Sequence, residues 1–261
     1  MNSFTFGQYI ATDSFVHSLD PRTKLALTVV LMIAALSTLS PVGLVSVGLA
    51  LAILILLSKV AISLYWHGIK PMLIIIAITV AFQVFLIPGK VLFHWWIFTA
   101  TYPGVTLGAL MAYRLFIVFF LAQLLTFTTS PLELTDGLEN ILRPLKRVKV
   151  PVHELAMVMT IALRFIPVFF EESERITKAQ MSRGADFSSS FTGAFRNLIS
   201  IIVPLLARAF QRADDLAIAM ESRCYAGGTG RTRLHQIHMR GRDHLLVVLS
   251  FAYIVIILLL P

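Results

Sequence analysis

Two short motifs stand out as places where side chains could act on a partner. They are Ser182-Arg183-Gly184 and Ser222-Arg223-Cys224, with the arginines 40 positions apart. Each arginine follows a long helix-forming run whose last turns hold acids: Glu171, Glu172 and Glu174 before the first, Asp214, Asp215 and Glu221 before the second. One arginine in a last turn is explained by the helix dipole, which favours a cation beside the free carbonyls. The same arrangement twice points further. Two equivalent tips each offer a planar guanidinium fork, suited to bidentate pairing with carboxylate or backbone acceptors in a groove.

Other chemistry finds little footing. No G-x-x-x-x-G-K stretch is present, so the chain has no P-loop for ATP. His153-Glu154 opens as a zinc-protease motif would, but position 157 is Met157 rather than histidine. His235, His238 and His244 lie in a basic stretch and read as surface groups rather than metal ligands. The only cysteine, Cys224, excludes an intrachain disulfide and a cysteine-rich zinc site. No catalytic, cofactor-binding or metal residues are therefore assigned. Arg114 stands alone in a long uncharged run. A cation there is costly, and it is either functional or a structural charge bonded to neighbouring carbonyls.

These residues must be held by elements, and the composition says which kind. Of 261 residues, 57% are hydrophobic and 14% charged, against about a quarter charged in soluble domains. No Asp, Glu, Lys or Arg occurs in residues 25–58, 71–89, 91–113 or 244–261. Such runs predict transmembrane helices over about 25–39, 42–58, 71–87 and 104–128, and a fifth over 245–260. Ser40 and Pro41 are expected as N-cap and first helical position of the second span. Residues 59–70, with Lys59, Trp66, His67 and Lys70, read as a link. Pro88 and Gly89 should break the third span, and residues 88–103, with Trp95, Trp96 and Tyr102, read as an interfacial loop. None of the predicted spans contains a carboxylate, which argues against an ion-coupled carrier.

The net charge of +8 suits basic cytoplasmic loops better than nucleic-acid binding. Arg22, Lys24, Lys59 and Lys70 flank one side of the spans and Lys90 alone the other, which places the N-terminus in the cytoplasm. The N-terminus has no basic region followed by an apolar run, so no cleaved signal is expected. The expected organisation is a cytoplasmic lead-in over 1–24, a membrane domain of four helices over 25–128, a cytoplasmic helical domain over 129–243 and a last transmembrane helix over 244–261. Within 129–243, Ser130-Pro131-Leu132-Glu133 is a capping box opening a short amphipathic helix. The basic cluster Arg143, Lys146, Arg147 and Lys149 follows it. Two rods come next, one from Pro151 to about Arg183 and one from about Thr192 to Ser222, each of ~30 residues and ~45 Å. Pro167 and Pro204 are expected as hinges. Ser188, Ser189 and Ser190 read as the link between the rods, and Gly227, Gly228 and Gly230 as the stop after the second.

Three stretches together resemble a known family, the transmembrane (T) components of energy-coupling factor (ECF) vitamin transporters. They are the lead-in from Asp13 to Lys24, the stretch from Pro151 to Phe187 with Ala162-Leu163-Arg164-Phe165-Ile166-Pro167, and the paired arginine tips. The tips look like the family's Ala-Arg-Gly motifs, with Ser182 and Ser222 in place of Ala and Cys224 in place of Gly. The resemblance spans nearly the whole chain, and the wording of residues 153–187 is closest to the group that shares one T component among several substrate-binding subunits. It implies an all-α polytopic fold with about five transmembrane helices and long amphipathic coupling helices. It implies a non-catalytic subunit, with ATP and Mg bound by two homologous partner ATPases, a heterodimer, that seat one tip each. It also implies a membrane S component that binds the vitamin. Two other readings remain at this point: a permease of another ABC importer, disfavoured because no E-A-A…G loop is present, and a carrier working alone.

Overall fold

The structure, a computed structural model, describes residues 9–10, 12–38, 40–95, 98–185, 191–225, 227 and 239–259. Its described residues form helices α1 (Pro21–Ser37), α2 (Pro41–Ser58), α3 (Ile62–Leu86), α4 (Tyr102–Thr128), α5 (Pro131–Leu142), α6 (Val152–Ser182), α7 (Phe191–Ser222) and α8 (Gly241–Leu259), with a 3-10 helix at Arg143–Val148. The fold is the expected all-α polytopic membrane architecture. One small departure lies in the expected loop at 88–103, where β1 (Val91–Trp95) and β2 (Phe98–Thr101) pair antiparallel, with a bulge near Val91.

Among the described residues four helices are long and apolar enough to cross a membrane: α2, α3, α4 and α6. Of the other two predicted spans, α1 has 17 residues with Arg22 and Lys24 in its first turn, and α8 forms as a helix of 19 residues that is apolar after its first turn. α3 corrects the reading of 59–70 as a link, because the helix begins at Ile62 and runs through Pro71. Proline lacks only its own N–H, and a helix tolerates that loss where neighbours pack around it. Ser40 does occupy the N-cap of α2, but its side chain makes no capping bond. The expected links at Ser188–Ser190 and Gly228, the residues Gly230, His235 and His238, and Trp96 lie outside the described residues.

The chain divides into two compact units, one of Met1–Asn140 with Gln236–Pro261, the other of Ile141–His235. In the first, the core lies where α1, α2 and α4 meet, around Leu31, Ala34, Ala35, Val47, Ile117 and Leu121. Ala34 and Ala35 are fully buried, and such small residues let helix backbones approach where lipid offers no hydrophobic drive. Tyr65 of α3 stacks on Phe120 at 5.7 Å and meets Phe127 edge-on at 5.1 Å, fastening α3 to α4. In the second unit, α6 packs against α7 and against the 3-10 helix.

Candidate functional site

The two arginine tips are built by one local device. α6 ends with the Arg183 N–H donating to the Gln180 carbonyl, the Gly184 N–H donating to the Met181 carbonyl at 3.0 Å and the Ala185 N–H to the Gln180 carbonyl at 3.0 Å. α7 ends with the Cys224 N–H donating to the Glu221 carbonyl at 2.9 Å and the Tyr225 N–H to the Met220 carbonyl at 3.0 Å. Both patterns are Schellman motifs, which satisfy the last free carbonyls and require a left-handed residue one place after the cap. Gly184 supplies it at φ +86° and Cys224 at φ +57°. Replacing the expected glycine by cysteine has therefore not changed the backbone of the second tip. In both motifs the arginine holds the same place, the cap residue itself.

Ser182, Arg183, Gly184, Ser222, Arg223 and Cys224 are all exposed. Among the described residues neither arginine has an ion-pair partner. The small serines keep each tip slim, and their hydroxyls donate back into their own helices, to Lys178 and Ala219 carbonyls. Each arginine is thus exposed at a helix end whose carbonyls are already satisfied.

α6 and α7 are antiparallel. Glu172 pairs with Arg208, and Gln180 donates to the Ser200 carbonyl at 3.4 Å, so residue numbers rise on one helix as they fall on the other. Arg183 therefore stands level with about position 197 of α7. Roughly 26 residues of helix, ~39 Å at 1.5 Å per residue, then separate the levels of the two tips. One groove cannot hold both arginines. Pro167 and Pro204 lie inside α6 and α7, and each removes one backbone donor without ending its helix.

Arg114 has a local explanation. Its guanidinium donates to the carbonyl of Thr38, the cap residue at the end of α1. A cation at a helix C-terminus is stabilised by the free carbonyls and the dipole. Of the two sequence readings, the bond to a neighbouring carbonyl is what the structure contains.

A second constellation is built by the lead-in. It wraps the ends of α1, α4 and α8. Lys24, almost wholly buried, donates to the carbonyls of Thr128 at 2.8 Å and His17 at 3.0 Å. The Ile10 N–H donates to the Phe127 carbonyl at 3.1 Å, so lead-in and lysine together cap the end of α4. Asp20 caps α1 by accepting from the Arg22 N–H at 2.8 Å. The Asp20 N–H in turn donates to Asp243, whose other oxygen accepts from the Arg240 N–H at 2.8 Å. Asp243 is 1% exposed. Arg242 closes the wrap, donating to the Ser18 carbonyl at 2.7 Å with its guanidinium over the Phe15 ring. His17 lies within 2.6 Å of the Ser14 hydroxyl and 3.0 Å of the Ile10 carbonyl, and burial pushes its pKa below the usual histidine value. The expected capping box is also present: the Glu133 N–H donates to Ser130 Oγ at 3.2 Å and the Ser130 N–H to the Glu133 carboxylate at 3.3 Å. The sequence signal for this wrap is Asp243, an acid in the first turn of α8, which has meaning only once the termini are seen together.

Comparison with known proteins follows the same outline. The cobalt transport protein family matches residues 12–234. The energy-coupling factor transporter transmembrane protein EcfT of Acidaminococcus fermentans is 44% identical over 98% of this chain and 96% of its own length. Those of Ruminiclostridium cellulolyticum (42%, over 100% of this chain and 98% of its own) and Heliobacterium modesticaldum (46%, over 95% and 94%) are similar throughout. With apolar spans, paired arginine tips and matches of this extent, the chain belongs to the EcfT family, the transmembrane proteins of energy-coupling factor transporters.

Proposed function

We propose that this chain couples ATP hydrolysis by two cytoplasmic ATPase subunits to vitamin or other micronutrient uptake through a separate substrate-binding membrane subunit. The observation that supports it most is the duplicated tip: the same Schellman cap, the same exposed arginine and the same flanking serine, at opposite ends of an antiparallel helix pair. A ~39 Å offset suits two related sockets on two subunits, and the one difference between the tips, Gly184 against Cys224, suits a heterodimer. Each arginine would sit in one groove. ATP-driven motion of the ATPases would be passed along α6 and α7, with Pro167 and Pro204 as the points where they bend. The chain itself then binds neither ATP nor Mg, which belong to the ATPases, and catalyses nothing. The first unit grips the lipid bilayer, with the N-terminus and residues 129–243 in the cytoplasm and residues 244–261 as a returning span. No nucleic acid takes part.

The test is co-purification in detergent with the two ATPases encoded by the same genome. An arginine desolvated and paired in a groove is worth on the order of 3–5 kcal/mol, whereas an exposed cap is worth less than about 1 kcal/mol. Wild type is expected to retain both ATPases and Arg183→Glu with Arg223→Glu to lose them, while the variant elutes as a folded monomer. Cys224 gives an independent readout, because it is exposed and the chain's only thiol. Bound ATPase should shield it from maleimide. Retention of both ATPases by the double variant would move the interface elsewhere on the rods.

A further inference from the structure

The segment between α5 and α6 is unlike the rest of the surface. Residues 141–150 hold Arg143, Lys146, Arg147 and Lys149 and no acid, so a net +4 lies within ten residues of a chain whose total is +8. All four cations are exposed. Among the described residues none of them pairs with a carboxylate. Between them stand Leu145, 43% exposed, and Val148, 76% exposed. The segment is a 3-10 helix over Arg143–Val148. In that geometry residues three apart eclipse, so Leu145 and Val148 form one aliphatic edge while Arg143 and Lys146 form the next. Among the described residues α6 packs against the 3-10 helix, yet Leu145 and Val148 stay exposed, and apolar surface rimmed by unpaired cations marks an interaction site.

We propose that this edge docks on anionic phospholipid headgroups, with Leu145 and Val148 entering the acyl boundary and the four cations meeting the phosphates. Lipid fits better than other anions for two reasons. The apolar side chains are aliphatic rather than aromatic, so they offer no stacking platform to nucleic-acid bases. The chain also tethers the segment near a membrane boundary on both sides. α4, a membrane-crossing candidate, ends at Thr128 and is joined to it by α5, 12 residues long and hence ~18 Å. On the other side α6 starts at Val152, and its first half, to Phe170, is apolar enough to lie against a bilayer. Basic segments beside such helices are attracted to anionic leaflets by about 1 kcal/mol per cation, roughly fivefold each. The interleaved aliphatic edge adds the interfacial component that a purely basic loop lacks. Docking there would fix the root of α6 against the bilayer, giving the rod a fixed end from which its tip can be worked. That consequence rests on the proposed coupling role; headgroup docking does not.

The experiment uses the full chain in nanodiscs of phosphatidylcholine, with or without phosphatidylglycerol at roughly one part in four, a range in which anionic surface potential is substantial. Both faces of the disc have the same lipid, and no ATPase is present, so the result is independent of sidedness and of coupling. Native mass spectrometry counts phosphatidylglycerol retained by the unaltered chain and by the variant with Arg143, Lys146, Arg147 and Lys149 all replaced by Gln. In parallel, a Cys224→Ser, Val148→Cys chain carries an environment-sensitive fluorophore at 148. Phosphatidylglycerol should blue-shift that emission and be retained preferentially, with the preference falling on the order of a hundredfold or more in the four-Gln variant and shrinking as salt is raised. Unchanged emission in both lipids, or equal phosphatidylglycerol retention by the variant, overturns the proposal. So does a shift at 148 that appears only when the purified ATPases are added, because the edge then belongs to a protein.

Discussion

Cys224, like Lys59 and Lys149, takes a backbone conformation that its type opposes. At φ +57° it holds a left-handed turn that costs a side-chain-bearing residue about 1 kcal/mol and glycine almost nothing. Gly184 does the same task at the end of α6 without that cost. Cys224→Gly should therefore tighten the last turn of α7 by about 0.5–1 kcal/mol, part of the gain being offset by the freer unfolded chain. Amide exchange at Tyr225, whose N–H closes the motif, would slow by a few-fold; unchanged exchange would mean that the turn is held by contacts outside it. His17 offers a second test at this scale. Burial depresses its pKa first, and the Lys24 charge adds to that, while its backbone carbonyl partners and Glu133 oppose it. A histidine depressed in the folded state takes up its proton more readily when unfolded. Stability is thus full above the unperturbed value of 6.5 and falls as pH drops below it. Thermal midpoints in detergent from about pH 7.5 to about 5.5 should fall more for wild type than for His17→Gln. The arginine tips were legible from their types and spacing alone. Lys24, Asp20 and Asp243 were not, because their partners are backbone groups brought from far along the chain, and no residue pattern announces a carbonyl.

Among elements, α2 and α4 were read to within two residues and α1 and α8 to within four at their starts, because a bilayer leaves a chain no alternative to satisfying its own backbone. α3 was read nine residues short at its N-terminal end. Pro71, Lys70 and His67 look like punctuation in a sequence, yet the helix runs through them. The hairpin of β1 and β2 was missed for a related reason: a short strand pair leaves a weaker imprint than a 20-residue apolar run. The α6–α7 pair is where an element-scale prediction can be made. Glu172 is buried, and Arg208, half exposed, is its ion-pair partner. Arg208→Ala strands the carboxylate, with water reaching it from the open side, so the pair should loosen by about 1–2 kcal/mol rather than by the full cost of an enclosed charge. Glu172→Leu with Arg208→Met removes both charges and should recover most of the loss. Proteolytic nicking between the rods reads either result, and equal susceptibility of all three chains would show that apolar packing alone holds the pair. In the first unit, a Cβ on Gly104 would stand 2.8 Å from the Gln83 carbonyl and 2.9 Å from that of Val84. Backbone cannot step aside as a side chain can, so Gly104→Ala should cost about 1–3 kcal/mol in the α3–α4 contact. A lowered thermal midpoint in detergent, absent for Ala substitution at an exposed glycine such as Gly241, is the expected result.

At the scale of the molecule, the duplicated tips make a prediction that neither makes alone. Two arginines ~39 Å apart along one helix pair can share a joint grip on two ATPases only if those ATPases are themselves associated. Engagement of the second is then intramolecular, and such linkage commonly strengthens binding by 10²–10⁴-fold over one site. A single Arg183→Ala or Arg223→Ala should then forfeit most of the affinity that both together forfeit. Two independent sockets would instead give losses that add. Surface-immobilised chain titrated with the preassembled ATPase pair distinguishes these. Near-equal loss for each single and the double variant supports a joint grip, and half-sized losses for the singles support separate ones. Opening the α6–α7 pair by Arg208→Ala supplies the geometric control, because it leaves both arginines in place while loosening the distance between them. If the grip is joint, that variant should bind each isolated ATPase normally and the assembled pair more weakly. A variant that weakens both alike would place the clasp inside a socket rather than between two.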